Sequence, residues 1–165
     1  MAVTTAGSGG ADAAKGPVPT IRTAVPSDAP RLAELSTELG YPATVADLGP
    51  RLRRILGRAD SVVLVAELPG GEVVGWLHGA EVEILEHGPR CEILGLVVAA
   101  GRRRHGTGRR LVAEVEEWAA ARGLDEITVR SNVVRTESHP FYERLGYTRA
   151  KTQHAYRKPL TEAMS

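Results

Sequence analysis

The stretch that decides the fold is "LGLVVAAGRRRHGTGRRLVAEVEEWAAARG", Leu94 to Gly123. It runs from an apolar segment, through a loop flanked by Arg102, Arg103, Arg104, Arg109 and Arg110, into a pattern with helical spacing. Leu111, Val115, Trp118 and Ala119 recur at the three- and four-residue steps that line one helix face, and Gly123 stands where such a helix would be closed. Just upstream, "CEILGLVVA", Cys91 to Ala99, reads as a strand, and Gly95 in its middle predicts a bulge or a close backbone approach. A strand that ends in a small-residue loop and then starts a helix aims unpaired backbone N–H groups and the positive end of the helix dipole at one spot. That is an anion site. Gly106 and Gly108 let the backbone come near a ligand without a Cβ in the way, the arginines add charge and donors, and a diphosphate fits.

Two familiar phosphate loops are excluded. The pattern G-x-x-x-x-G-K-[ST] is absent, and in G-x-G-x-x-G the third glycine position is occupied by Leu111, so neither a nucleoside triphosphate nor a dinucleotide is favoured. The loop alone is also compatible with a helix that merely begins with solvated arginines.

Outward from this stretch, the chain alternates strands and helices. "TIRTA", Thr20 to Ala24, is a short strand, and Ser27 or Asp28 then stands ready to cap a helix with Leu32, Leu35 and Leu39 on one face. A second helix lies in "TVADLGPRLRRILGR", with Leu48, Leu52, Ile55 and Leu56 inward and Arg51, Arg53 and Arg54 in solvent. Two strands, Ser61 to Leu68 and Glu72 to Ile84, form a hairpin around "PGG". After Gly123 come the strand "DEITVR", a helix over Thr136 to Leu145 ending at Gly146, and two short strands, "YTRA" and "TQHAYRKPL". This order predicts a mixed sheet with helices on it, an α/β or α+β layered domain.

At 165 residues and 42% hydrophobic content the chain is sized for one domain with a buried core. Its 21 basic and 20 acidic side chains leave a net charge of +1, so the loop arginines are local and bulk affinity for nucleic acid is not indicated. The single cysteine, Cys91, reads as a buried small apolar residue and cannot form an internal disulfide, and no Cys/His set has metal-site spacing. A reducing cytoplasm is expected, with neither a membrane span nor a signal peptide. Residues 1–19 are expected to form a flexible tail, 20–160 the domain, and 161–165 a short C-terminal tail.

"RRHGTG", Arg103 to Gly108, resembles the R-x-x-G-x-G/A motif of the GNAT superfamily of acetyl-CoA-dependent N-acetyltransferases. "NVVRTESHPFYERLGY", Asn132 to Tyr147, is similar to that family's second signature, an Asn followed by a helix with Phe-Tyr-Glu that ends in Leu-Gly-Phe/Tyr. "CEILGLVV" likewise resembles its acidic-apolar strand. The likeness runs from about Thr20 to Leu160, and "SNVVRTESHPFY" looks most like a branch that includes aminoalkylphosphonate acetyltransferases.

The resemblance implies a mixed, mostly antiparallel sheet of about seven strands flanked by about four helices. It also implies acetyl-CoA as cosubstrate. The backbone of Arg103, Arg104, His105, Gly106, Thr107 and Gly108 would hold the coenzyme pyrophosphate, with Arg109 opening the helix beneath it. Leu96, Val97 and Val98 would pair with the pantetheine amides. Arg104 departs from the family's usual glycine, which is tolerable only if that residue does not need a positive φ.

The implied reaction is attack of a neutral amine on the thioester. An alkyl amine with a pKa near 10 is only about one part in a thousand neutral at pH 7, so a base or water relay helps, and the thiolate, pKa about 8.5, leaves more readily beside an acid. By resemblance the base is Glu92, with Glu81, Glu83 and His78 in reserve, and the acid is Tyr142; a salt-bridged Glu92 and a merely packing Tyr142 are the alternatives. Asn132 would contact pantetheine or cap a helix, and His139 would touch the cofactor or start that helix. Tyr41, Trp76 and His78 are candidates for the acceptor pocket. The expected partner is a small-molecule amine, with a homodimer common in the family and no nucleic-acid or membrane partner. The competing readings are an acyl-CoA-binding sensor or partner module, an acetyltransferase of protein or peptide amines, and a nucleic-acid binder, against which an aromatic content of 4% counts.

Overall fold

The structure, a computed structural model, describes residues 16–131, 133 and 136–161. By its internal contacts the chain divides into two compact units, Met1–Val129 and Arg130–Ser165.

The first unit carries strands β1 (Thr20–Thr23), β2 (Ser61–Glu67), β3 (Val73–Ile84), β4 (His87–Val98) and β5 (Ile127–Val129), and helices α1 (Ala29–Glu38), α2 (Val45–Leu56) and α3 (Thr107–Ala121). The strands lie side by side in chain order. All pairs are antiparallel except β4 and β5, which run parallel because α3 crosses between them. The hairpin turn closes as expected, with Leu68 N–H donating to Glu72 O at 2.8 Å and Gly71 at a φ of 91°.

Successive strand residues face opposite sides of the sheet, and the two sides are covered differently. On one, α3 presses so close that a Cβ on Gly75 would lie 3.3 Å from Leu111, and one on Gly79 would lie 2.7 Å from Val115. On the other, Leu32 and Leu35 of α1 and Leu52 of α2 bury themselves against Val63, Val65 and Val97, with Leu39, Leu48, Ile55, Leu56 and Trp76 packed around them. The apolar spacings read from the sequence are therefore the core-facing ones.

The first helix is entered differently from expectation. Asp28 makes no side-chain cap to α1; its carboxylate accepts from Val25 N–H at 2.8 Å, closing a 3-10 turn at Pro26–Asp28, and takes both ends of the Arg22 guanidinium at 2.9 Å. The cap signal was real, but the turn claimed it. At the far end of α3, Gly123 has the expected left-handed conformation, φ 77°, and Leu124 N–H bonds back to Ala119 O at 3.0 Å.

The second unit carries α4 (Ser138–Arg144), shorter than the helix read over Thr136 to Leu145. Gly146 follows it at φ 92°, where the sequence placed the helix end. The expected sheet of about seven strands is corrected to five, because "YTRA" and "TQHAYRKPL" form no strand. Their only large apolar side chains after Tyr147, Tyr156 and Leu160, are 93% and 94% exposed, so there is no buried face to hold an extended segment in register. The expectation of a flexible tail falls mainly on residues 1–15, which lie outside the described residues, as do 162–165 at the other end. Of the remainder, Pro19 is fully buried and Pro17 O accepts a hydrogen bond from Arg102 Nη2 at 2.6 Å.

Candidate active site

Three features converge where β4 leaves the sheet. The first is a bulge. Gly95 pairs with His78 and Ile93 with Gly79, so Leu94 is an extra residue opposite no partner, and it is 52% exposed. Gly95 also answers to close approach, since a Cβ there would lie 2.9 Å from the six-membered ring of Trp76. The strand reading allowed either cause, and both operate.

The second feature is an open edge. The pairing of β5 with β4 runs from Cys91 and Ile127 to Ile93 and Val129 and stops there, so Leu94 to Val98 continue with no strand on that side among the described residues. Leu96, Val97 and Val98, the residues expected to pair with an extended ligand, lie on this segment.

The third is the loop. After a 3-10 turn, Ala100–Arg102, the chain reverses into α3, whose N-cap is Gly106 at φ 79° with no side-chain cap. The first helical bond runs from Arg110 N–H to Gly106 O, 3.0 Å, which leaves the N–H groups of Thr107, Gly108 and Arg109 without an intrahelical acceptor. His105, Arg103, Arg104, Arg109 and Arg110 are exposed around them. Among the described residues Arg103 reaches only Val98 O, at a long 3.5 Å. Thr107 turns its side chain inward, 1% exposed with Cγ2 toward Gly75, so only its backbone faces the loop. A diphosphate suits these groups, with unpaired N–H donors, the positive end of a 15-residue helix and uncompensated guanidinium groups.

Arg104 has a φ of 65°, so the condition under which a side chain was tolerable there is not met. A left-handed, non-glycine residue costs about 1–2 kcal/mol.

On the α1/α2 side of the sheet, pairing aligns Trp76 with Val97, His78 with Gly95 and Ala80 with Glu92. Trp76, His78 and Glu92 thus share one face beside the bulge, with Glu92 only 7% exposed. Burial, with Arg58 adding its charge, pushes the His78 imidazole below its usual range, so it is neutral at neutral pH. Cys91 is fully buried and its thiol is pushed up to about 11 by burial, which makes it an inert packing residue. Glu81 is engaged by Arg122 at 2.7 Å, which removes one reserve candidate, while Glu83 lies further out on β3.

Tyr41 is exposed between α1 and α2. An open cleft of about 540 Å³ lies beside the start of the loop, lined by Glu38, Glu72, Val74 and residues 99–102. In the second unit Tyr142 sits on α4, edge-on to Phe141 at 5.0 Å and to Tyr147 at 5.7 Å, and His139 is near the start of the same helix. Asn132 lies outside the described residues. Sequence reasoning missed the seating of Trp76 on Gly95 and the tie between Arg102 and Pro17; a lone glycine in an apolar strand beside a hairpin tryptophan was the available signal for the first.

Comparison with known proteins agrees with this geometry. A family model described as the acetyltransferase (GNAT) family matches residues 30–147. An aminoglycoside N(6')-acetyltransferase type 1 from Stenotrophomonas maltophilia is 30% identical over 149 residues, covering 86% of this chain and 94% of the relative. In fold, the chain is similar to AAC(6')-Iy in complex with a bisubstrate analog of coenzyme A, with a TM-score of 0.77, 19% identity and coverage of 86% and 98%. It is similarly close to an aminoglycoside acetyltransferase from an uncultured soil metagenomic sample in complex with sisomicin, with a TM-score of 0.74, 19% identity and coverage of 87% and 97%. These relatives carry the aminoglycoside name rather than the aminoalkylphosphonate one. This chain belongs to the acetyltransferase (GNAT) family, and it is an N-acetyltransferase whose cosubstrate is acetyl-CoA.

Proposed function

We propose that the chain moves the acetyl group of acetyl-CoA directly to a primary amine of a small, polar molecule of the amino-sugar kind. One observation carries the reading: the uncapped start of α3 and the unpaired edge of β4 adjoin in one unit, so a diphosphate and an extended arm are received by consecutive stretches of chain. The names of the relatives favour an aminoglycoside-like acceptor, and Glu38 beside the loop suits a cationic one, Glu72 being paired with Arg31 at 3.6 Å.

When bound, acetyl-CoA supplies the activated thioester. Arg103 to Gly108, with Arg109, hold its pyrophosphate by backbone N–H groups and charge, and Leu96, Val97 and Val98 offer backbone partners along the edge. In the first unit Glu92 would take the amine's proton, directly or through water, and Tyr41, Trp76 and His78 would border the acceptor. For the second unit the resemblance alone supplies the roles: Asn132 and His139 for the pantetheine arm, and Tyr142 as the acid for the leaving thiolate. The single cysteine is in keeping with a reducing cytoplasm, and a homodimer is common in the family.

The test is release of coenzyme thiol from acetyl-CoA with sisomicin and a panel of polyamines and amino acids. Turnover is expected with at least one amine. Tyr142→Phe is expected to lower kcat about 100-fold while leaving acetyl-CoA affinity unchanged. Coenzyme binding with no turnover on any amine would instead favour a sensor module.

A further inference from the structure

Of the five arginines that flank the loop, Arg102 is the one that is half-buried rather than exposed. Its Nη2 donates to Pro17 O at 2.6 Å, and its Nη1 occupies the room that Gly16 leaves, since a Cβ on Gly16 would lie 2.8 Å from it. Its Nε is buried and has no hydrogen-bond partner among the described residues. No carboxylate among them pairs with this guanidinium either, although Glu38 and Glu72 line the same cleft.

The segment that Arg102 grips is stiff. Pro17 and Pro19 have φ fixed by their rings, Pro19 is fully buried, and β1 begins at the next residue, where Thr20 pairs with Glu67. Arg22 in turn donates to Glu67 at 2.6 Å. Gly16 to Pro19 is therefore a strap that leads from the edge strand of the sheet to the start of the loop.

The loop has few other holds. Ala99 N–H donates to Val74 O at 2.8 Å and Arg102 N–H to Ala99 O at 2.9 Å, which closes the 3-10 turn. Arg103, Arg104 and His105 then make no backbone hydrogen bond among the described residues, and the next runs from Arg110 N–H to Gly106 O. Their place is thus set from the two ends. The start of α3, with Thr107 buried, supplies one end, and the turn that carries Arg102 supplies the other.

A guanidinium withdrawn from water with one carbonyl partner and no counter-charge gives folding little. A diphosphate bound by the residues that follow would supply the missing charge. We propose that Arg102 is a positioning residue of the coenzyme site: clasped by Gly16 and Pro17, it fixes where the loop begins, so that strap and loop receive the diphosphate as one unit. The diphosphate tightens the clasp, and the clasp strengthens binding by the same factor, because coupling between two sites is reciprocal.

This inference rests on the reading of Arg103 to Gly108 as the diphosphate cradle, and the experiment separates the two. Calorimetry with acetyl-CoA is expected to show affinity about 10-fold weaker in Arg102→Met and in Gly16→Val, the second of which puts bulk where Nη1 lies and leaves Arg102 itself intact. Arg102→Lys, which can still donate to Pro17 O, is expected to keep most of the affinity. Each variant is compared well below its melting transition. The Val18 amide is joined to the Pro17 carbonyl, so its NMR signal reports on the clasp without any acceptor amine. Adding coenzyme A is expected to move that signal in wild type and to leave it in place in Arg102→Met, a difference that an Arg102 serving only the fold would not produce. Gly106→Glu is the control. Affinity lost there but kept in both Arg102→Met and Gly16→Val overturns this inference alone, as does a Val18 signal indifferent to coenzyme A. Affinity unchanged in Gly106→Glu overturns the cradle and the inference with it.

Discussion

Arg22 and the arginines around Gly106 are the same residue type used in opposite ways. Arg22 donates to Glu67 at 2.6 Å, to both oxygens of Asp28 at 2.9 Å and to Thr23 O at 3.2 Å. Its charge joins β1 to β2 and fixes the turn before α1, and it holds the Asp28 carboxyl below its usual range. Around Gly106, by contrast, Arg103, Arg104, Arg109 and Arg110 find no carboxylate among the described residues, and the helix start they surround has no side-chain cap. Positive groups gathered without counter-charge repel one another, so folding gains nothing from them. The contrast separates arginines that build the protein from arginines that wait for a ligand, which their number in the sequence does not.

The strongest way to break the contrast is Gly106→Glu. It puts a side chain on a residue at φ 79° and a negative charge in the donor cluster. Acetyl-CoA affinity by calorimetry is expected to fall by about 100-fold or more, equal to about 2.7 kcal/mol. An unchanged affinity would mean that the loop is not the phosphate cradle.

Asp28→Ala tests the other half. It is expected to lower stability by about 1.5–3 kcal/mol, the range for hydrogen bonds to charged groups, and to leave acetyl-CoA affinity unchanged. Because the folded pKa of Asp28 is depressed, its contribution is present above the unfolded carboxyl pKa of about 3.9 and is lost as pH falls through the lower folded value. Wild type and variant are therefore expected to differ in melting temperature at pH 7 and to converge in strong acid. A variant that melts like wild type at pH 7 would show that the Arg22 cluster is ornamental.

What could be read in the sequence follows the same division. Periodicities and punctuation report on backbone and burial, so the hairpin, the inward faces of α1, α2 and α3, and the ends at Gly123 and Gly146 were all legible. So was the uncapped start of α3, because small residues between a strand and a helix have a direct geometric meaning. Side-chain partners at long range were not. Asp28 looked like a helix cap because nothing local reveals that Arg22 and Val25 N–H would claim its oxygens. The last two strands failed because β-type residues such as those in "TQHAYRKPL" make a strand only when a neighbouring strand and a buried face are supplied. The face shared by Trp76, His78 and Glu92 depended on the Leu94 bulge, which resets the register between β3 and β4 by one residue. Without it Glu92 would point to the opposite side.

The finest test lies at Arg104, where the two uses of arginine meet in one residue. Its left-handed backbone costs about 1–2 kcal/mol, and a glycine would remove that strain while adding about 0.5–1 kcal/mol of unfolded-chain entropy. Arg104→Gly is therefore expected to leave the protein as stable as before or more stable by up to about 1.5 kcal/mol. If the exposed guanidinium serves the diphosphate, the same variant binds acetyl-CoA about 2–5-fold more weakly, with a shallower dependence on salt, since exposed ion pairs are worth less than about 1 kcal/mol. Arg104→Lys keeps both the charge and the strain, so it is expected to retain most of the affinity with no gain in stability. Equal affinity in all three proteins would remove Arg104 from the group of ligand-binding arginines, and the backbone strain would then serve only to turn the N–H groups of the loop toward the anion.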